Sequence, residues 1–130
     1  MEQISNAAEI RAKVLQDIMT YHCTAVLEYK IEYPFFRSNK YRDAIRKLNR
    51  YYLDKAKKLE EYYRSEIYKQ AVEQYKYDME NDIPVRTFSA GTNFTVTFNS
   101  LCVVSLYTDE YLYLGGAHPT ATRTSDTWNL

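Results

Sequence analysis

"NKYRDAIRKLNRYYLDKAKKLEEYYRSEIYKQAVEQYKYDMEN", residues 39 to 81, contains neither glycine nor proline and is rich in Lys, Arg, Glu, Leu, Ala and Tyr. Such a run reads as one long helical region. Tyr41, Ile45, Leu48, Tyr52, Ala56, Leu59, Tyr63 and Ile67 recur at spacings of three and four, which places them on one face. Beyond Ile67 the pattern changes sides. Glu66, Gln70 and Gln74 continue the first face, while Tyr68, Val72, Tyr75 and Met79 line up on the other. A straight helix through the whole run would be roughly 65 Å long at ~1.5 Å per residue, too long for a compact domain of this size. A break or a change of packing partner is therefore expected between Tyr63 and Gln70. The alternative is a protruding helix that meets a second copy. Asn81 and Pro84 supply the stop.

Strand patterns flank this helix on both sides. Upstream, "YHCTAVLEYKIEYP" puts Tyr21, Cys23, Ala25, Leu27, Tyr29, Ile31 and Tyr33 at odd positions. His22, Thr24, Glu28, Lys30 and Glu32 fall at even ones. That is a half-buried strand, closed by Pro34. Downstream, "TNFTVTF" alternates Phe94, Val96 and Phe98 against threonines. "LCVVSLY" and "EYLYL" follow, joined by a turn at Thr108–Glu110, and "ATRTSDTWNL" ends the chain with strand-like threonines. Upstream of Tyr21, Ile4, Ala7, Ala8, Ile10, Val14, Leu15 and Ile18 form a ragged helical pattern with Ser5 or Asn6 as its cap. The expected organisation is a helical arm over 1–20 and one α+β domain over 21–130, its long central helix packed on an antiparallel sheet.

A length of 130 residues leaves room for one core. The formal charge is zero, so no net field draws nucleic acid or an anionic membrane surface. No run is apolar enough to span a bilayer, and the charged N-terminal stretch does not read as a secretory signal. Cys23 and Cys102 lack metal or redox spacing and read either as two buried thiols or as a clamp between adjacent strands. Tyrosine is the compositional anomaly, with 14 residues against 5 Phe and 1 Trp. Either the rings form core rims and helix surface, or they build a recognition face.

Catalytic patterns are missing. There is no HExxH, GxSxG, GxxxxGK[ST] or GxGxxG. Carboxylate pairs Glu60/Glu61 and Asp109/Glu110 read as solvated surface, and helix bases alternate with acids in i,i+4 fashion. No enzyme activity, metal or cofactor is expected. The candidate site is "YLYLGGAHP", residues 111–119. Paired glycines permit positive φ or close backbone approach, and a histidine before proline is held extended. The stretch is either a glycine bend that the histidine braces, or a binding loop of Tyr111, Tyr113, Gly115, Gly116 and His118.

The order "YKIEYP" (29–34), "AIRKLNRYY" (44–52), then "FTVTFNSLCVVSLYTDEYLYLGGAHPTA" (94–121) resembles the deacetylase-PdaC domain family. The resemblance covers roughly Tyr29 to Asn129. It implies an extracytoplasmic or membrane-anchored bacterial cell-envelope module, found ahead of polysaccharide-deacetylase domains and in lysozyme-sensing anti-sigma factors. The implied role is recognition of a protein, lysozyme-like, or of wall glycan. The alternative is a structural or assembly domain whose 39–81 helix mediates a homodimer or docks a further domain. In family members the strand holding "SDTWNL" usually runs on into another α+β domain, so the resemblance implies either a fragment truncated at its C-terminus or a protein reduced to the first module.

Overall fold

The computed structural model describes residues 6–116 and 118–130. The capping role expected of Ser5 lies outside them. Five strands and one long helical region build the fold: β1 (Glu9–Tyr21), β2 (Thr24–Arg37), α1 (Arg42–Tyr62), α2 (Tyr68–Glu80), β3 (Phe88–Ser100), β4 (Val103–Tyr113) and β5 (Thr120–Asn129). They form one α+β unit with a single sheet in the order β1-β2-β3-β4-β5. Three pairings are antiparallel, but β2 and β3 run parallel, with Leu27 opposite Phe88 and Ile31 opposite Thr92. The sheet is thus mixed rather than wholly antiparallel. The reason is the helix itself, since a parallel pair needs a long crossover and α1–α2 supplies it.

The expected helical arm is a strand. β1 pairs with β2 from Glu9↔Arg37 to Tyr21↔Thr24, with an irregularity at Met19/Thr20. Its apolar side chains are irregularly spaced and mostly half-exposed, so neither period dominates the sequence, and strand pairing decides. The hairpin turn is His22–Cys23, with φ of 48° and 61°. Two consecutive left-handed residues are the signature of a two-residue turn matched to strand twist, although these positions usually carry Asn or Gly. This turn splits the strand read from Tyr21. Nor does Pro34 close β2, which pairs Pro34 with Ala12 and continues to Arg37. The turn expected at Thr108–Glu110 is likewise strand, since β4 runs unbroken and Thr108, Asp109 and Glu110 all pair with β3 and β5.

Between α1 and α2 lies a π-helical turn, Tyr63–Ile67, inside the interval where a break was expected. Its cause is visible in the spacing. Four residues carry an α-helix about 40° past a full turn, so a stripe spaced by fours drifts off its face. The wider π turn absorbs that drift. Tyr63, Ile67 and Ala71 therefore stay buried in line with Ile45, Leu48, Tyr52 and Ala56. The stripe does not change sides: Tyr68, Val72 and Tyr75 flank it and are half-buried against the core, while Met79 is 58% exposed. Asn81 ends the helix, Asp82 turns left-handed at φ 52°, and the Ile83 amide donates to the Asp78 carbonyl at 2.9 Å.

Two buried clusters join helix and sheet. In the first, Ala56, Tyr63, Ile67 and Ala71 meet Val26, Leu27, Tyr29 and Ile31 of β2 and Phe88 and Ala90 of β3. In the second, Ile45, Leu48 and Tyr52 meet Phe36, Val104 and Leu106, with Ala7 and Ala8 folded in. Each large aliphatic so buried contributes about 1.5–3 kcal/mol. Asn99 fastens the N-terminal segment: its Oδ1 accepts from the amides of Ala7 (2.8 Å) and Ala8 (3.1 Å), and its Nδ2 donates to the Ala8 carbonyl.

Phenol hydroxyls tie the helix to individual strands. Tyr29 Oη donates to Glu60 at 2.8 Å and accepts from Arg64, which also bridges to Asp17 at 2.6 Å. Tyr52 Oη donates to Asp126 and accepts from Trp128 Nε1, both at 2.8 Å. Glu60 is thus engaged by Tyr29 rather than simply solvated, while Glu110 has a long contact from Tyr63 Oη at 3.4 Å. Within the helix, the ion pairing among the described residues is Asp43–Arg46 at 3.9 Å, so most helix charges face water unpaired. Cys23 and Cys102 are exposed free thiols, not buried ones. They lie at opposite ends of the parallel β2–β3 pair, so no clamp between them can form.

Candidate functional site

Side chains of neighbouring strands in register share a sheet face. Leu27, Tyr29, Ala90 and Leu112 belong to the face that clusters with the helix. Glu28, Lys30, Ser89, Gly91, Tyr111 and Tyr113 therefore belong to the other, with Tyr107 and Asp109 following on β4 and Arg123 on β5. On that second face Tyr107, Tyr111 and Tyr113 stand on one strand, with Asp109 between the first two, and each ring is half-buried.

Tyr111 is the best-anchored of them. It is paired with Gly91, and a Cβ on Gly91 would lie 2.7 Å from the phenol oxygen and 2.1 Å from the Lys30 carbonyl. Glycine there lets the ring lie across the strand. Gln16, Ile18, Glu28, Lys30 and Ser89 surround Tyr111 in an open groove. Burial raises the pKa of the Tyr111 phenol, with the Glu28 charge next in size and Lys30 opposing. Further along, the Arg123 guanidinium sits 3.9 Å above the Tyr107 ring centre and pairs with Asp109 at 2.7 and 3.0 Å. That double hydrogen bond holds the Asp109 carboxyl below the usual carboxylate range.

The structure divides the residues expected to form one loop site. Tyr111 and Tyr113 share the open face. Gly115 and Gly116 instead line a recess at the end of α2, with Gln74, Asp78, Pro84 and Arg86. Gly115 has φ of +79°, which calls for glycine, and Arg86 Nη1 donates to its carbonyl at 3.4 Å. Gly116 has no such need, since a Cβ there would meet nothing within 4 Å. His118 is exposed. Ala117 lies outside the described residues. The residues missed from sequence, Glu28, Lys30, Ser89 and Arg123, sit on polar sides of their strands. Their strand alternation was readable, but only strand order puts them beside Tyr107 and Tyr111.

Among the described residues no three His, Cys, Asp or Glu side chains group to hold a metal ion, and no helix is long and apolar enough to cross a membrane.

One five-stranded sheet crossed over by one long helix defines an α+β domain whose second sheet face bears aromatic and charged side chains. The model of the deacetylase PdaC family matches residues 22–121, and the chain belongs to that family. Its fold is similar to a crystal structure of a DUF3298-family member from Bacteroides fragilis, with a TM-score of 0.69 and 15% identity over 95% of this chain. The matched part is 56% of that protein, so the chain spans little more than half its length. No curated protein matches.

Proposed function

We propose that this chain is a non-catalytic recognition module of the bacterial cell envelope, acting outside the membrane and binding a lysozyme-like protein or a wall glycan. The observation that carries the reading is the row Tyr107, Tyr111 and Tyr113 on a face that does not join the core, flanked by Arg123, Lys30 and Glu28. Rigid aromatic rings beside charged groups suit both protein anchoring and stacking on sugars. His118, exposed on the loop that follows β4, is proposed as a further contact for the partner. Isothermal titration against a c-type lysozyme, with soluble peptidoglycan fragments in parallel, tests it. Saturable binding weakened by Tyr111→Ala, Tyr113→Ala or His118→Ala, with folding intact, supports the reading. No heat with either ligand from a folded sample overturns it.

A second reading, self-association or domain docking through the helix packed on the sheet, is favoured by a separate observation. Tyr62, Tyr77 and Met79 are 45%, 56% and 58% exposed along that helix. Sedimentation equilibrium of the chain against Met79→Glu decides it: a dimer lost on substitution supports assembly, and a monomer at all concentrations removes it.

A further inference from the structure

On the helix side of the sheet, remote from the open face, a cavity of about 110 Å³ lies between α1 and strands β2–β5. Ile31, Ala56 and Leu59 give it apolar walls, and the rings of Tyr33 and Tyr52 complete them. Thr108 and Thr124, cross-strand partners on β4 and β5, add hydroxyls, and the exposed positions of Lys55 and Thr124 mark its mouth. Two carboxylate residues also line it: Glu32, whose carboxylate pairs with Lys30 at 3.3 Å, and Glu110.

Glu110 is a half-buried carboxylate with little to hold it. Its protein donor is Tyr63 Oη at 3.4 Å, well beyond the length of a charge-assisted hydrogen bond. Among the described residues no Lys or Arg lies within ion-pair distance of it. Lys55 lines the same cavity but carries its ammonium 5.8 Å above the Tyr51 ring centre. The buried Thr92 hydroxyl is already spent on the Glu32 carbonyl at 2.9 Å. A carboxylate drawn out of water gains from a cation brought to it. The tyrosine rings offer negative faces to the same charge, and the hydroxyls can accept its protons. Glu110 repels anions. The volume, room for about three or four waters at ~30 Å³ each, favours a small ligand over a nucleotide.

We propose that this cavity binds the ammonium group of a small primary amine, paired with Glu110 and with its short alkyl stem against Ile31, Ala56 and Leu59. The site is independent of the open-face reading and survives its failure.

Amide-resolved NMR titration of the whole chain with ethylammonium chloride tests it, with ethanol, sodium acetate and sodium chloride as matched controls. Saturable shifts confined to the segments that line the cavity, 31–34, around Thr92, 106–112 and 122–126, and to α1 from Tyr52 to Leu59, seen with ethylammonium alone, are expected. Glu110→Gln should weaken them at least tenfold. If that variant fails to fold, the neutral control decides on the wild-type chain. Equal shifts with ethanol, or shifts reproduced by sodium chloride, overturn the proposal, as does the absence of saturation with ethylammonium.

Discussion

Removing a single oxygen atom, by Tyr52→Phe, tests how the helix is fixed to the last strand. Tyr52 is 3% exposed, and its hydroxyl is shared between Asp126 and Trp128 Nε1 at 2.8 Å each. The substitution deletes two hydrogen bonds and leaves an indole N–H and a carboxylate seeking partners. A net hydrogen bond contributes about 1 kcal/mol, and an orphaned buried group costs about 1–3 kcal/mol more. Asp126 and Trp128 are only half-buried, so water can recover part of that loss. The expected destabilisation is about 1.5–3 kcal/mol, or about 5–10 °C in melting temperature for a domain of this size. Urea unfolding followed by tryptophan fluorescence measures it directly, because the single Trp128 is the reporter. Trp128→Phe, monitored by circular dichroism, and the double variant close a cycle whose coupling should exceed about 0.5 kcal/mol. A loss below that figure for Tyr52→Phe, at unchanged denaturant slope, would refute the claim that this hydroxyl ties α1 to β5.

Other outcomes follow from equally local features. Gly91→Ala should cost more than about 3 kcal/mol or prevent folding, because the new Cβ would lie 2.1 Å from the Lys30 carbonyl. By contrast, Gly115→Ala should cost about 1–2 kcal/mol for its positive φ, and Gly116→Ala less than about 0.5 kcal/mol. Thermal melts of the three rank them. Asn99→Ala should lose about 2–3 kcal/mol by orphaning the Ala7 and Ala8 amides, with faster amide exchange confined first to β1. Burial raises the Tyr52 and Tyr63 pKa values in the fold above the ordinary 10.0. Their contribution is therefore complete below pH 10 and is lost as pH rises through the folded values. Stability should fall on the alkaline side, less steeply in Tyr52→Phe. Phenolate absorbance should show a late-titrating set of tyrosines that appears together with unfolding.

What the sequence determined by itself were the signals that repeat within one element. Eight apolar positions at three-and-four spacing declared the helix. The apparent change of side beyond Ile67 and the length a straight helix would need announced an interruption between Tyr63 and Gln70; the interruption is there, but the buried stripe keeps its side. Alternation placed Leu27, Tyr29 and Ile31 on one side of a strand and Glu28 and Lys30 on the other. The family, too, was legible in the stretch from Tyr29 to the glycine pair.

Tertiary structure decided whatever depends on a partner distant in sequence. β1 is a strand because β2 lies beside it, although its own apolar residues are too irregularly spaced to declare a period. His22 and Cys23 look like strand residues until the hairpin turns them both to positive φ. The parallel β2–β3 pair follows from the helix returning the chain to the same end of the sheet. The site divided for the same reason: alternation along β4 keeps Tyr111 and Tyr113 on one face, while the chain's turn at Gly115 carries the glycines to Arg86 and the end of α2. Glu110, adjacent to Tyr111 in sequence, points to the opposite side of the sheet, where only the packing of α1 encloses it.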